Sequence, residues 1–77
     1  MMKEIRKVSS KTVIKFIGDW SDGKDVDKCR MLARDGRDAW IAVDNLTGDC
    51  WMEVFLTRDK AIDWLENREN ENNEKAD

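Results

Sequence analysis

The chain has 77 residues, of which 40% are hydrophobic and 40% charged, and a net charge of −3. This length allows one domain, near the lower limit at which a core alone holds a fold, and no run reaches the ~20 apolar residues of a membrane span. The N-terminus is charged from Lys3 onward and lacks the apolar stretch of a secretory signal, so we expect a cytoplasmic protein.

The chain contains two cysteines, Cys29 and Cys50, and no histidine. A structural zinc site needs four nitrogen or sulfur ligands, so this composition excludes one. Small secreted folds usually carry four or more cysteines, which favours two free thiols acting as buried or half-buried apolar side chains. A disulfide between the two stays open, because sequence does not give the distance between their Cα atoms.

Two short β-favouring runs open the chain, at residues 5–8 and 12–17. The polar segment Ser9-Ser10-Lys11 between them predicts a first β-hairpin. This hairpin is basic, because residues 1–15 hold five bases against one acid, a net charge of +4 that leaves −7 for the remainder. Such asymmetry bears on the choice of partners rather than on the fold.

Residues 24–35 admit a helix or a strand. For the helix, Asp22 suits an N-cap, apolar residues recur on one face, and Gly36 suits a C-terminal stop. The apolar face comprises Val26, Cys29, Leu32 and Ala33. We predict the helix, because its caps and its apolar face agree with each other.

The alternative is a strand over about residues 28–34, turned by Asp35-Gly36 into the next strand. Asp-Gly is a strong hairpin signal, so this alternative stays open. It is less favoured because it places Met31 and Leu32 on opposite faces of one small sheet.

A second hairpin is predicted at residues 39–55. Runs of β-branched and aromatic residues at about 39–44 and 50–55 flank the segment Asn45-Leu46-Thr47-Gly48. Gly48 suits the positive φ that closes a type I turn with a bulge.

A second helix is predicted from Arg58 to about residue 68. Thr57 suits its N-cap, and Leu56 and Ala61 have the spacing of a hydrophobic staple. The predicted buried stripe comprises Ala61, Ile62, Trp64 and Leu65. The segment 70–77 is acidic and Asn-rich, so we predict a single domain at 1–69 followed by a disordered tail.

These elements add up to an α+β fold of order ββαββα. It has a small antiparallel β-sheet of three to four strands, with two helices on one face.

The sequence gives little support for catalysis. Histidine, the commonest general base, is absent, and neither cysteine has a neighbouring base in the sequence. No phosphate-binding loop, dinucleotide-binding glycine motif or EF-hand loop is present. We therefore expect a non-enzymatic protein without catalytic residues, metal or cofactor.

Nucleic-acid binding is one alternative function. The basic N-terminal hairpin would supply the phosphate contacts, and the net charge of −7 on the rest of the chain opposes this function. The candidate contact residues are Arg6, Lys7, Lys11 and Lys15.

Protein binding is the leading hypothesis, because four tryptophans are many for so short a chain. If Ile41 and Val43 point into the core, strand alternation exposes Trp40 on the open face of the sheet as an interface anchor. Carboxylates on or beside the same hairpin would engage basic residues of a partner. The predicted partner-binding residues are Trp40, Asp44, Asp49 and Glu53. A homodimer through the open sheet face is a further alternative.

The stretch VDNLTGDCWMEVF at residues 43–55, followed by a Thr-capped helix containing AIDWL, resembles small uncharacterised bacterial and phage-encoded α+β proteins. The resemblance covers about half of the ordered chain and implies an origin in a mobile element. Short, acidic proteins of such origin include anti-CRISPR proteins, and by this analogy of size, charge and origin we expect an inhibitor that occupies a binding site on a host nucleic-acid-handling complex. It implies no activity, cofactor or catalytic residue.

Overall fold

The computed structural model describes the backbone of residues 4–75 and the side chains of residues 4–67. Within that range, the chain forms one four-stranded sheet and two helices in the order βαβββα. The elements are β1 (Ile5–Ser9), α1 (Ser10–Ser21), β2 (Arg30–Asp35), β3 (Ala39–Asp44), β4 (Trp51–Phe55) and α2 (Arg58–Lys75). The fold is α+β as predicted, but the order of elements differs from the predicted ββαββα.

The sheet is mixed rather than purely antiparallel. Its strands lie in the spatial order β1-β2-β3-β4. β1 runs parallel to β2, whereas β2–β3 and β3–β4 are antiparallel. The parallel pair arises because a helix, not a hairpin turn, connects the first two strands.

The predicted first hairpin is wrong, because residues 10–21 form α1 instead of a second strand. The Ser9 side chain caps the helix by accepting a hydrogen bond from the backbone N–H of Thr12 at 3.2 Å. Val13 is fully buried, and Phe16 and Ile17 pack against the same core, at the spacing of one helical face. The β-branched residues in this run favoured a strand, but burial of the helical face outweighs that local preference.

The predicted helix over residues 24–35 is also wrong, and the strand alternative is correct. β2 ends in a turn at Gly36, which has a φ of +75°, and β3 returns antiparallel. Met31 and Leu32 do face opposite sides of the sheet, yet both are buried, because each face of the sheet is covered by a different helix.

The two helices therefore lie on opposite faces of the sheet, which corrects the prediction that both lie on one face. On the first face, Met31, Ala33, Ile41 and Val43 pack against Val13 of α1. On the second face, Leu32 and Ala42 pack against Ala61 and Leu65 of α2. Strand alternation sends adjacent residues of β2 and β3 into these two separate clusters.

α2 begins as predicted. The backbone N–H of Lys60 donates to Oγ1 of Thr57 at 3.2 Å, so Thr57 is the N-cap. Leu56 remains 77% exposed and thus contributes little to the predicted staple with Ala61. The helix continues to Lys75, into the segment 70–77 for which the sequence predicted disorder, and residues 76–77 lie outside the described residues.

Candidate functional site

The predicted anchor Trp40 does not lie on an open sheet face. Ile41 and Val43 do point into the α1 side of the core, as predicted, so Trp40 points to the other side. That side is covered by α2, and Trp40 is half-buried in the cluster around Leu65. The guanidinium carbon of Arg34, its cross-strand partner, lies 5.7 Å from the centre of the Trp40 ring. The prediction that Trp40 is exposed on an open sheet face is therefore wrong.

The three predicted carboxylates have different surroundings. Asp44 is 2% exposed and accepts a hydrogen bond from the backbone N–H of Leu46 at 3.1 Å, which stabilises the turn after β3. Asp49 is exposed and accepts a hydrogen bond from the Thr47 hydroxyl at 2.9 Å. Glu53 is exposed on β4. Asp49 and Glu53 are thus accessible to a partner, whereas Asp44 is a buried turn residue.

The most exposed apolar part of the described sheet is β4, where the cover provided by α1 ends. Val43 is fully buried, but its cross-strand partner Met52 is 49% exposed. Ile41 is 8% exposed, but its partner Val54 is 53% exposed. The reason is that α1 lies on the same face of the sheet but over β1 and β2, which are farther from the β4 edge. We call the exposed residues at this edge the β4 surface, which comprises Trp51, Met52, Glu53, Val54 and Leu56.

β4 is also an edge strand, and it differs from the opposite edge in chemistry. The β1 edge carries the exposed cations Arg6 and Lys7, a common device that discourages pairing with another chain. β4 carries one ionisable residue, Glu53, among β-favouring apolar residues. Within residues 4–67, no ion pair involves Glu53. The β4 edge is therefore much less protected against strand pairing than the β1 edge.

The connection between β3 and β4 holds this edge in place. Asn45 is 1% exposed and makes three hydrogen bonds to backbone groups outside its own turn segment: its Nδ2 donates to the carbonyl of Asp27, its N–H to the carbonyl of Cys29, and its Oδ1 accepts from the N–H of Cys50. Nε1 of Trp20 donates to the Gly48 carbonyl at 2.8 Å, which ties the same turn to α1. The predicted positive φ of Gly48 is confirmed at +88°.

The four candidate phosphate contacts do not form a hairpin. Arg6 and Lys7 lie on β1, and Lys11 and Lys15 lie on α1. Arg6 donates to a carboxylate oxygen of Asp27 at 3.1 Å, and Lys15 donates to Asp19 at 2.8 Å.

These two ion pairs neutralise part of the basic surface. The hydrogen bond from Lys15 lowers the pKa of Asp19 below its ordinary value and keeps this carboxylate ionised. Lys7 and Lys11 form no ion pair within residues 4–67, and both are exposed.

Both cysteines are free thiols, as predicted, and both contribute to the core on the α1 side. Burial raises the pKa of the Cys29 and Cys50 thiols, which disfavours the thiolate that a nucleophile or metal ligand requires. In the part of the chain that is described, no group of three His, Cys, Asp or Glu side chains is placed to hold a metal ion. A shallow depression of about 270 Å³ beside Trp20 is lined by Lys24, Lys28 and Asn45, among others.

The exposure of Val54 and Leu56 was not predicted from the sequence. The alternation of β4 indicates which residues share a face, but the exposure of that face depends on how far α1 extends over the sheet. No local signal gives that distance. Of the described helices, none is long and apolar enough to cross a membrane. Comparison with protein-family models, with curated proteins and with solved structures gave no match.

Proposed function

We propose that this chain is a non-enzymatic protein-binding module and that the β4 surface is its contact site. The observation that carries the proposal is the exposure of Met52 and Val54 beside the fully buried Val43. Apolar side chains on an unprotected edge strand favour association with another polypeptide. The surface is small, so it is suited to a partner that also pairs with the strand backbone.

Charge supports a partner with a basic contact region. Asp49 and Glu53 are both exposed near β4, and the whole chain has a net charge of −3. Complementary charge accelerates association and suppresses wrong partners. Within the proposal, Asp49 and Glu53 keep the role predicted from sequence, whereas Trp40 and Asp44 serve the fold.

We extend the proposal to the partner class expected by analogy of size, charge and origin, a host nucleic-acid-handling complex. Proteins of this class expose basic surfaces that bind phosphates, and carboxylates of an inhibitor can occupy such surfaces. The accessible Asp49 and Glu53 fit this mode. Addition of the chain should then lower the nucleic-acid affinity of the retrieved partner, which a competition titration measures.

The test uses the tagged full chain to retrieve binding partners from its native host. The affinity of the chain for a retrieved partner is then compared with that of two charge variants. Val54→Glu places a charge on the β4 surface, and Lys7→Glu places one on the opposite edge as a matched control. Circular dichroism first establishes that both variants are folded. We expect Val54→Glu to weaken binding of a retrieved partner by on the order of tenfold or more, and Lys7→Glu to leave it unchanged.

If Val54→Glu does not fold, Met52→Glu makes the same test from the neighbouring exposed position. If Val54→Glu and Met52→Glu both bind the retrieved partner as tightly as the parent chain, the β4 surface is not the contact site. Loss of binding in Lys7→Glu alone would instead favour nucleic-acid binding through the basic edge. In that case, binding of the chain to DNA or RNA should fall steeply with added salt.

A further inference from the structure

We infer that the β4 surface binds an extended segment of another protein, which adds to the sheet as a fifth strand and places a lysine or arginine opposite Glu53. This inference rests on the proposed function and specifies its binding mode and the chemistry of the partner. It requires an outer strand that no other strand of the described chain covers, and β4 meets that requirement at the end of the sheet.

The side chains of β4 specify the partner's sequence pattern. Met52 and Val54 point to the α1 side of the sheet, and Glu53 points to the α2 side. An added antiparallel strand has residues directly opposite these three positions and on the same faces. It therefore needs apolar residues opposite Met52 and Val54, with one basic residue between them.

Charge argues against a second copy of this chain as the occupant. In such a dimer the β4 strands of two copies would pair antiparallel about a twofold axis. At least three of the five β4 residues can pair across this axis only if it passes beside residue 52, 53 or 54. These registers place Glu53 opposite Trp51, Glu53 or Phe55 of the other copy, respectively. In none of them does the carboxylate face a cation, and in one it faces a like charge, which destabilises the pair.

A partner strand with a lysine or arginine opposite Glu53 does place a cation beside the carboxylate. The opposite charge across the strands pairs with a carboxylate that has no ion pair within residues 4–67. The apolar flanking residues cover Met52 and Val54, which are about half exposed in the free chain. Backbone hydrogen bonds along the edge supply affinity, and the alternating side chains supply specificity.

The test uses two synthetic peptides that differ at one residue. One has Thr-Val-Lys-Val-Thr at its centre, and the other has glutamate in place of the lysine. Each is titrated into the isotope-labelled full chain, and amide shifts and amide hydrogen exchange are followed by NMR. We expect the lysine peptide to shift and protect amides of residues 51–55, and to bind on the order of tenfold more tightly than the glutamate peptide.

The variant Glu53→Lys should reverse this preference, so that the glutamate peptide binds more tightly. Because Glu53 is exposed, the substitution should leave the fold intact. Equal binding of both peptides, or shifts confined to the β1 edge, would overturn the inference. So would protection of residues 51–55 without peptide in a species whose sedimentation depends on concentration, since the occupant is then a second copy.

Failure of this inference and failure of the proposed function give different results. If neither peptide binds while Val54→Glu still abolishes binding of a retrieved partner, strand addition is wrong and the protein-binding site stands. If Val54→Glu and Met52→Glu leave partner binding intact, the β4 surface is not the contact site, and the site assigned in the proposed function is wrong.

Discussion

Val43 and Met52 are cross-strand partners on one face of the sheet, yet Val43 is fully buried and Met52 is 49% exposed. The boundary of the α1-side core therefore runs between β3 and β4. On the β2 side of that boundary, the apolar side chains of β2 and β3 stabilise the domain through burial. The side chains beyond it contribute less to stability and are available to a partner.

Two leucines test which apolar residues hold the fold. Leu65 is fully buried against Leu32 and Ala42, so Leu65→Ala should lower the free energy of unfolding by about 2–5 kcal/mol. Leu56 is 77% exposed, and Leu56→Ala should change it by less than about 0.5 kcal/mol. Urea denaturation of both variants measures the difference. Similar values for the two would contradict the assignment of the α2-side core.

Asn45 should be the most sensitive polar residue of the β3–β4 connection. Asn45→Ala removes two side-chain hydrogen bonds, to Asp27 and Cys50, and should lower the free energy of unfolding by about 2–4 kcal/mol. Asn67→Ala, at an exposed position of α2, is the matched control and should be nearly neutral. Thermal melts of the two variants suffice. A stable Asn45→Ala variant would mean that the turn is held without these bonds.

Trp40 should now behave as a packing residue. Because its ring is half-buried on the α2 side and lies beside the Arg34 guanidinium, Trp40→Ala should destabilise the chain by about 2–3 kcal/mol. Trp40→Phe should retain most of the packing and lose less. Both are measured by denaturation together with partner binding. Strong loss of binding without loss of stability in Trp40→Ala would restore it as an exposed anchor.

Because both cysteines are free thiols, the melting temperature should be the same with and without a reductant. Cys29 and Cys50 are free, and burial raises the pKa of each thiol, so both stay protonated at neutral pH. Calorimetry with and without a thiol reductant checks this. Alkylation under denaturing conditions, followed by mass measurement, counts the free thiols. A fall of several degrees on reduction would show a stabilising disulfide.

Local chemistry in the sequence determined the second half of the fold. Positive φ at Gly48, the Thr57 cap and the alternating pattern of residues 39–55 each depend on residues close in the chain. The same alternation indicated that Ile41 and Val43 share one face of the sheet, opposite to Trp40. Such features are set by backbone sterics and short-range hydrogen bonds, which the sequence displays directly.

Only the tertiary structure decided the first half of the fold and the exposed site. Residues 12–17 fit either a strand or a helix by local preference, and burial of Val13 against Met31 favours the helix. β2 can bury both of its faces only because α1 and α2 lie on opposite sides of the sheet. The same arrangement half-buries Trp40, because α2 covers β3 on its face of the sheet. It leaves Met52 and Val54 exposed, because α1 stops short of β4 on the other face.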